Sequence, residues 1–181
     1  MKTLDLSQNY FELFKQPLSF EIDLALVHEN QQNLQAKFHP DRFVNASNLE
    51  KRLSVQQASW LNEAHQTLTN PVKRARYMLE VSGVDMKDES ETTSDIEFLM
   101  EQIALREQME EVPDKQDPLE ECDNIIRHLK VRLEEISNDF STKFESGNLD
   151  TAKQVSRKMQ FVQRILEQVM DLQFQLEEEY S

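Results

Sequence analysis

The sequence predicts an all-α protein in two parts: an N-terminal helical hairpin with short flanking helices, and a C-terminal antiparallel three-helix bundle. Three observations carry this. Only two glycines (Gly83, Gly147) and five prolines stand among 181 residues, too few punctuators for a strand-and-turn fold. Apolar side chains recur at spacings of three and four through long polar stretches, the period of an amphipathic helix. Residues 81–94, Val-Ser-Gly-Val-Asp-Met-Lys-Asp-Glu-Ser-Glu-Thr-Thr-Ser, break that period with a polar, acidic, hydroxyl-rich run, the expected linker between a domain over 1–80 and a bundle over 95–181.

Each element has its own local reason. Asn9 with Glu12, Ser47 with Glu50 and Ser94 with Glu97 place a capping side chain three residues before a reciprocating glutamate. The first opens a short helix from Tyr10 to about Lys15, which Pro17 ends. A second spans about Asp23 to Phe38, with Val27, Leu34 and Phe38 on one stripe and Gln31 intruding on it, so its packing is expected to be weaker there. The third, about 48–69, turns Leu61, Ala64 and Leu68 inward. Pro71 opens a fourth, at the first-turn position where its missing N–H is harmless. Three more follow at about 95–111, 118–146 and 149–179; Pro113 and Pro118 mark one junction, and Gly147 closes the other as a C-terminal cap. In the middle one Leu119, Cys122, Ile126, Leu129, Leu133, Ile136 and Phe140 form a seam. In the last, Val155, Met159, Val162, Leu166, Val169 and Leu176 form another, interrupted by Gln173.

Charge and composition exclude several functions. The net charge of −14 is uneven: residues 1–77 hold 9 basic and 8 acidic side chains, residues 78–181 hold 11 and 26. An acidic chain of this kind has no basic face for phosphates, so nucleic acid is excluded as a partner. The scarcity of glycine removes phosphate-cradling loops and dinucleotide fingerprints. Cys122 stands alone, so no internal disulfide forms and a reducing compartment is expected. The first residues form no basic-apolar leader and no run is long enough to span a membrane; a cytoplasmic protein is expected. His28, His39, His65 and His128 show no ligand-pair spacing, so neither a metal nor another cofactor is expected.

The chemistry-bearing feature is His39-Pro40-Asp41, between a helical stretch ending Leu34-Gln-Ala-Lys-Phe38 and Arg42-Phe43. Structurally, proline stops the helix and forces the preceding residue out of the α region, a histidine suits the negative helix end, and Asp41 suits a turn. Functionally, an X-Pro turn presents an imidazole and a carboxylate side by side, and the carboxylate is free to take a bidentate bond from a partner's arginine. An acid–base pair of an enzyme is disfavoured, because a surface turn between helices offers no enclosure. About twenty residues later comes Leu61-Asn62-Glu63-Ala64-His65 with Leu68, closed by Asn70-Pro71-Val72-Lys73-Arg74-Ala75-Arg76-Tyr77. This order resembles a J-domain, the module that stimulates the ATPase of DnaK-type chaperones. The resemblance implies that His39, Pro40, Asp41, Lys37 and Arg42 bind such a chaperone.

The stretch 95–111 is apolar on two faces. Phe98, Leu105, Met109 and Val112 fall within about 60° of arc and suit the bundle; Ile96, Met100 and Ile103 lie opposite, with Leu99 at the edge and Glu107 and Glu111 beside them. One stripe suffices for a three-helix core, so the second covers the other domain, the linker or a partner. Phe98-Leu99-Met100-Glu101-Gln102 with Leu105-Arg106-Glu107, and Arg157-Lys158-Met159-Gln160-Phe161, are similar to the paired motifs of the HscB family, J-domain co-chaperones of iron–sulfur cluster assembly. The resemblance spans nearly the whole chain. It implies two protein partners: an HscA-like DnaK-type chaperone, and an IscU-like iron–sulfur scaffold contacted by Leu99, Met100, Ile103 and Phe161, with Glu107 and Glu111 as acidic contacts. The rival reading is a helical adaptor or general J-protein without an iron–sulfur client.

Two positions and one helix depart from the family pattern. Ala104 replaces a scaffold-contacting acid. The helix before His39 carries only Asp23, Glu29 and Lys37 where J-domains are basic, which shifts steering toward Arg42, Lys51 and Arg52. His65 replaces the aromatic residue of the Asn-x-Ala-aromatic motif, where a packed histidine is expected in place of a ligand.

Overall fold

The computed structural model describes residues 4, 5, 7–44, 46–86 and 95–179. The chain divides into two compact units, Met1–Gly83 and Val84–Ser181. Every regular element among the described residues is helical.

In the first unit, α1 (Tyr10–Leu13) opens on the expected Asn9–Glu12 capping box. It stops before Lys15, two residues short of the expected end, because Lys15 takes φ +54, a left-handed cap that lets Gln16 N–H reach back to the Phe11 carbonyl. Three contacts anchor this short helix: Tyr10 stacks on Tyr77 at 4.3 Å, meets Trp60 edge-on at 5.7 Å, and donates its backbone N–H to the Tyr77 hydroxyl oxygen at 3.0 Å. Four residues cannot hold a helix alone, so tertiary packing supplies the stability.

Helices α2 (Leu24–Phe38) and α3 (Asn48–Thr69) form the hairpin. Asp23 caps α2 through the Leu26 N–H, and Ser47 with Glu50 makes a capping box on α3. The core between them takes Val27 and Phe38 from α2 and Leu61, Ala64 and Leu68 from α3; full burial of a side chain such as Leu or Phe is worth roughly 1.5–3 kcal/mol. Leu34 is half-buried. Gln31 does not merely weaken the stripe. Its carboxamide donates to Asn62 Oδ1 at 3.4 Å, and Gln35 donates to the same oxygen at 3.0 Å, so a polar ladder runs beside the apolar seam. Asn70 caps α4 (Pro71–Val81) with bonds from the Val72 and Lys73 N–H groups, and Pro71 sits at its first turn as expected.

The second unit holds α5 (Ile96–Glu111), α6 (Pro118–Glu145) and α7 (Leu149–Glu179). Asp95, one residue after Ser94, caps α5 by accepting from the Phe98 N–H at 3.0 Å; Ser94 lies outside the described residues, as does 87–94 of the expected linker. Within the rest of that linker, α4 continues through Val81 and Met86 is buried.

Gly147 at φ +75 ends α6, its N–H bonding the Phe144 carbonyl, and Asn148 caps α7 through Thr151. Helices α6 and α7 form a long antiparallel pair. All six expected α7 seam residues are buried, joined by Ala152, Ser156, Phe161 and Ile165. On α6 the seam takes Ile125 instead of Ile126, with Leu119 and Leu133 half-buried. A turn of 3.6 residues lets either neighbour complete a seam, and partner packing selects one. Helix α5 leans on this pair through Phe98, Leu105 and a half-buried Met109, with Val112 buried just beyond its end.

Candidate functional site: a His-Pro-Asp turn and an exposed helix face

His39 ends α2 at φ −59, ψ 131, the extended conformation that a following proline imposes. Residues Pro40–Phe43 then make one 3-10 turn, closed by the Arg42 N–H on the His39 carbonyl at 3.1 Å. The Asp41 N–H donates to His39 Nδ1 at 3.3 Å, which places the neutral ring's proton on Nε2. Asp41 Oδ2 lies 3.5 Å from the same nitrogen. The two side chains are 56% and 85% exposed, so the pair faces solvent at the end of a rigid hairpin.

Lys37 is exposed in the last turn of α2. Arg42 bends back, and its Nη1 donates to the Ala36 carbonyl at 2.7 Å. That bond satisfies an orphan carbonyl at the helix end and sets a cation at the negative pole, so Arg42 supports the turn structurally as well. Beside His39 lies a groove of about 250 Å³ lined by Gln35, Phe38, His39, Ala58, Leu61 and Asn62. Sequence reading missed it, because it joins residues from two helices whose individual patterns are ordinary.

In the second unit, α5 presents Ile96, Leu99, Met100 and Ile103 to solvent at spacings 0, 3, 4 and 7, with Met100 62% exposed. Glu107 continues that face, and Glu111 is exposed one turn further on. A hydrogen bond from Lys115 at 2.7 Å holds the Glu111 carboxyl below the usual carboxylate range. Phe161 is corrected: it is only 8% exposed, meeting Phe98 edge-to-face at 5.4 Å. Its place in an apolar-spaced motif did not reveal that α5 roofs it over. It supports the face from within and is not part of its outer surface.

Further contacts, illegible in the sequence, hold α5 in place. Arg132 of α6 grips both Glu101 oxygens, at 2.8 and 3.2 Å. Lys158 of α7 pairs with Asp95 and lies 5.2 Å from the Phe98 ring centre. The hydrogen bond from Lys158, and then that from the Phe98 N–H, lower the Asp95 carboxyl. Cys122 is a core thiol, pushed up by burial and by Asp123 and Glu121. Among the described residues no group of three or more His, Cys, Asp or Glu side chains is arranged to hold a metal, and no helix is long and apolar enough to cross a membrane.

Comparison with known proteins decides the family. The HSCB C-terminal oligomerisation domain matches residues 94–170. A co-chaperone protein HscB homolog of Shewanella loihica is 38% identical over 164 residues, 87% of this chain and 92% of that one. This chain belongs to the HscB co-chaperone family. The chaperone HscB from Vibrio cholerae has a TM-score of 0.81 at 32% identity, covering 93% of this chain and 99% of that chain. Human co-chaperone protein HscB has 0.83 at 28% identity, covering 94% and 84%. The fold is therefore the HscB pairing of a J-domain with a C-terminal helical bundle. HscB proteins are a family of co-chaperones and not of catalytic enzymes.

Proposed function

We propose that this protein delivers an IscU-like iron–sulfur scaffold to a dedicated HscA-like chaperone of the DnaK type and stimulates that chaperone's ATPase, in the cytoplasm. The observation that carries the reading is the pairing of two surfaces in separate units: an exposed His-Pro-Asp turn on a braced hairpin, and an exposed apolar helix face continued by carboxylates. Asp41 takes a guanidinium of the chaperone in a charge-assisted bond, and the His39 Nε2–H supplies a directional donor beside it. Leu99, Met100 and Ile103 anchor the scaffold, and Glu107 and Glu111 flank them; a few apolar anchors dominate such an interface. Pro40 fixes the turn, while Lys37 in the last turn of α2 and Arg42, bonded back to the Ala36 carbonyl, supply positive charge at this end of the hairpin.

The test is chaperone ATPase turnover with this protein, with and without the scaffold. The wild type stimulates in both cases, and more with scaffold. Leu99→Ala with Ile103→Ala keeps the basal stimulation and loses the scaffold-dependent increment. If that increment survives, the α5 face is not the scaffold site. If wild-type protein stimulates but the scaffold adds nothing, the chain is a general J-protein without an iron–sulfur client.

A further inference from the structure

A feature of the hairpin lies outside both surfaces. His28 of α2 and His65 of α3, 37 positions apart in sequence, bring Nδ1 of the one within 2.9 Å of Nε2 of the other. Their ring centres are 4.9 Å apart and the planes cross at 57°. We propose that His28 and His65 form a two-imidazole site for a divalent first-row transition ion that favours right-angled coordination, Cu(II) or Ni(II), clipping α2 to α3.

The spacing selects the geometry. Two metal–nitrogen bonds of ~2.05 Å at ~90° span ~2.9 Å, whereas tetrahedral bonds of that length span ~3.3 Å. The nitrogens already stand at the bite of two adjacent positions on a tetragonal ion, and tetrahedral Zn(II) requires them to spread. A turn of about 45° in each lone-pair direction, away from the line joining the two nitrogens, brings both to a common point. The backbone is set beforehand, because Gln31 and Gln35, about one and two turns beyond His28 on α2, bond Asn62, about one turn from His65 on α3, and hold the register.

Ligand chemistry agrees. A metal-binding imidazole must be unprotonated at the ligating nitrogen. Burial, and then the neighbouring His28, lower the His65 pKa, the direction that favours an unprotonated ring. The Phe14 ring, 6.3 Å away, backs His65, while His28 is exposed and gives an ion entry from solvent. The proton count balances. In the hydrogen-bonded pair one ring carries its proton on the shared side; on binding, that proton moves to the ring's other nitrogen through solvent. Both ligands stay neutral and none is released. Two protein ligands leave the remaining positions to water, so the site is exchangeable. Binding the folded hairpin in preference to the unfolded chain stabilises the unit that bears His39.

The test uses the full chain stripped with chelator, then titrated with Cu(II) or Ni(II) and followed by thermal melting, with electron paramagnetic resonance for Cu(II). One equivalent of Cu(II) is expected to show coupling to two imidazole nitrogens and to raise the melting temperature by several degrees. His28→Gln, at an exposed position, and His65→Phe should each weaken binding by about tenfold or more and remove the rise in melting temperature, whereas His128→Gln leaves both. Unchanged affinity in His28→Gln and His65→Phe, or no stoichiometric binding by the wild type, overturns the proposal. Tighter Zn(II) than Cu(II) binding at the two histidines overturns its geometric basis.

Discussion

Phe161→Ala and the pair Leu99→Ala with Ile103→Ala should have opposite effects on stability and recognition. Phe161 is 8% exposed and packed edge-on against Phe98 at 5.4 Å. Truncating a buried phenylalanine costs ~3–5 kcal/mol, of which the aromatic pairing accounts for ~0.5–1.5. The low end, ~3 kcal/mol, applies because the residue keeps 8% of its surface exposed. For a domain of this size ~1 kcal/mol corresponds to a shift of ~4–8 °C, so the second unit should melt more than ~10 °C lower. Leu99 and Ile103 are 36% and 51% exposed, and truncating both should cost about 1 kcal/mol together. Circular dichroism melts give the stability arm. Calorimetric titration with the scaffold, below both melting points, gives the binding arm. The surface pair should weaken scaffold binding at least tenfold, ~1.4 kcal/mol, with little loss of structure. A melt of the surface pair as low as that of Phe161→Ala would show that the outer face is core, and a wild-type melt for Phe161→Ala would show that the ring is not packed.

Three further outcomes follow from the same contacts. Association with the chaperone should slow only modestly as salt rises, because α2 offers Lys37 against Glu29 and exposed charges are screened beyond ~8 Å at physiological salt; stopped-flow mixing measures this, and a steep slope would place the steering charges elsewhere. Asp95 has a lowered folded pKa, so its contribution is present above its ordinary 3.8 and is lost as pH falls through the folded value; Asp95→Asn should therefore lower the melting temperature at pH 7 and cease to matter in strong acid. Cys122, buried and raised in pKa, should react with a thiol reagent in the native protein far more slowly than in denaturant, and fast native labelling would contradict its place in the seam.

Helix number, the hairpin and the three-helix bundle were legible because capping residues and a 3.6-residue period are local signals. The two faces of α5 were legible for the same reason: Phe98 and Leu105 are inside, Leu99, Met100 and Ile103 outside. Contacts between helices were not. Phe161 reads as a motif residue in sequence and proves to be interior, its ring against Phe98 of another helix. Gln31 reads as a flaw in a stripe and proves to bond Asn62 across the hairpin. His65 reads as a substituted aromatic, and nothing near it in sequence shows that His28 meets it. Ile125 and Ile126 are adjacent, and only the partner helix decides which turns inward.

The most direct test of the account is the ATPase rate of the partner chaperone under single-turnover conditions, with wild-type protein and with Asp41→Asn. Asp41 is 85% exposed, so the substitution should leave the melting temperature within about 3 °C, the effect of ~0.5 kcal/mol at a surface position. The wild type should stimulate strongly and the variant not at all. Equal stimulation by the two proteins would contradict it.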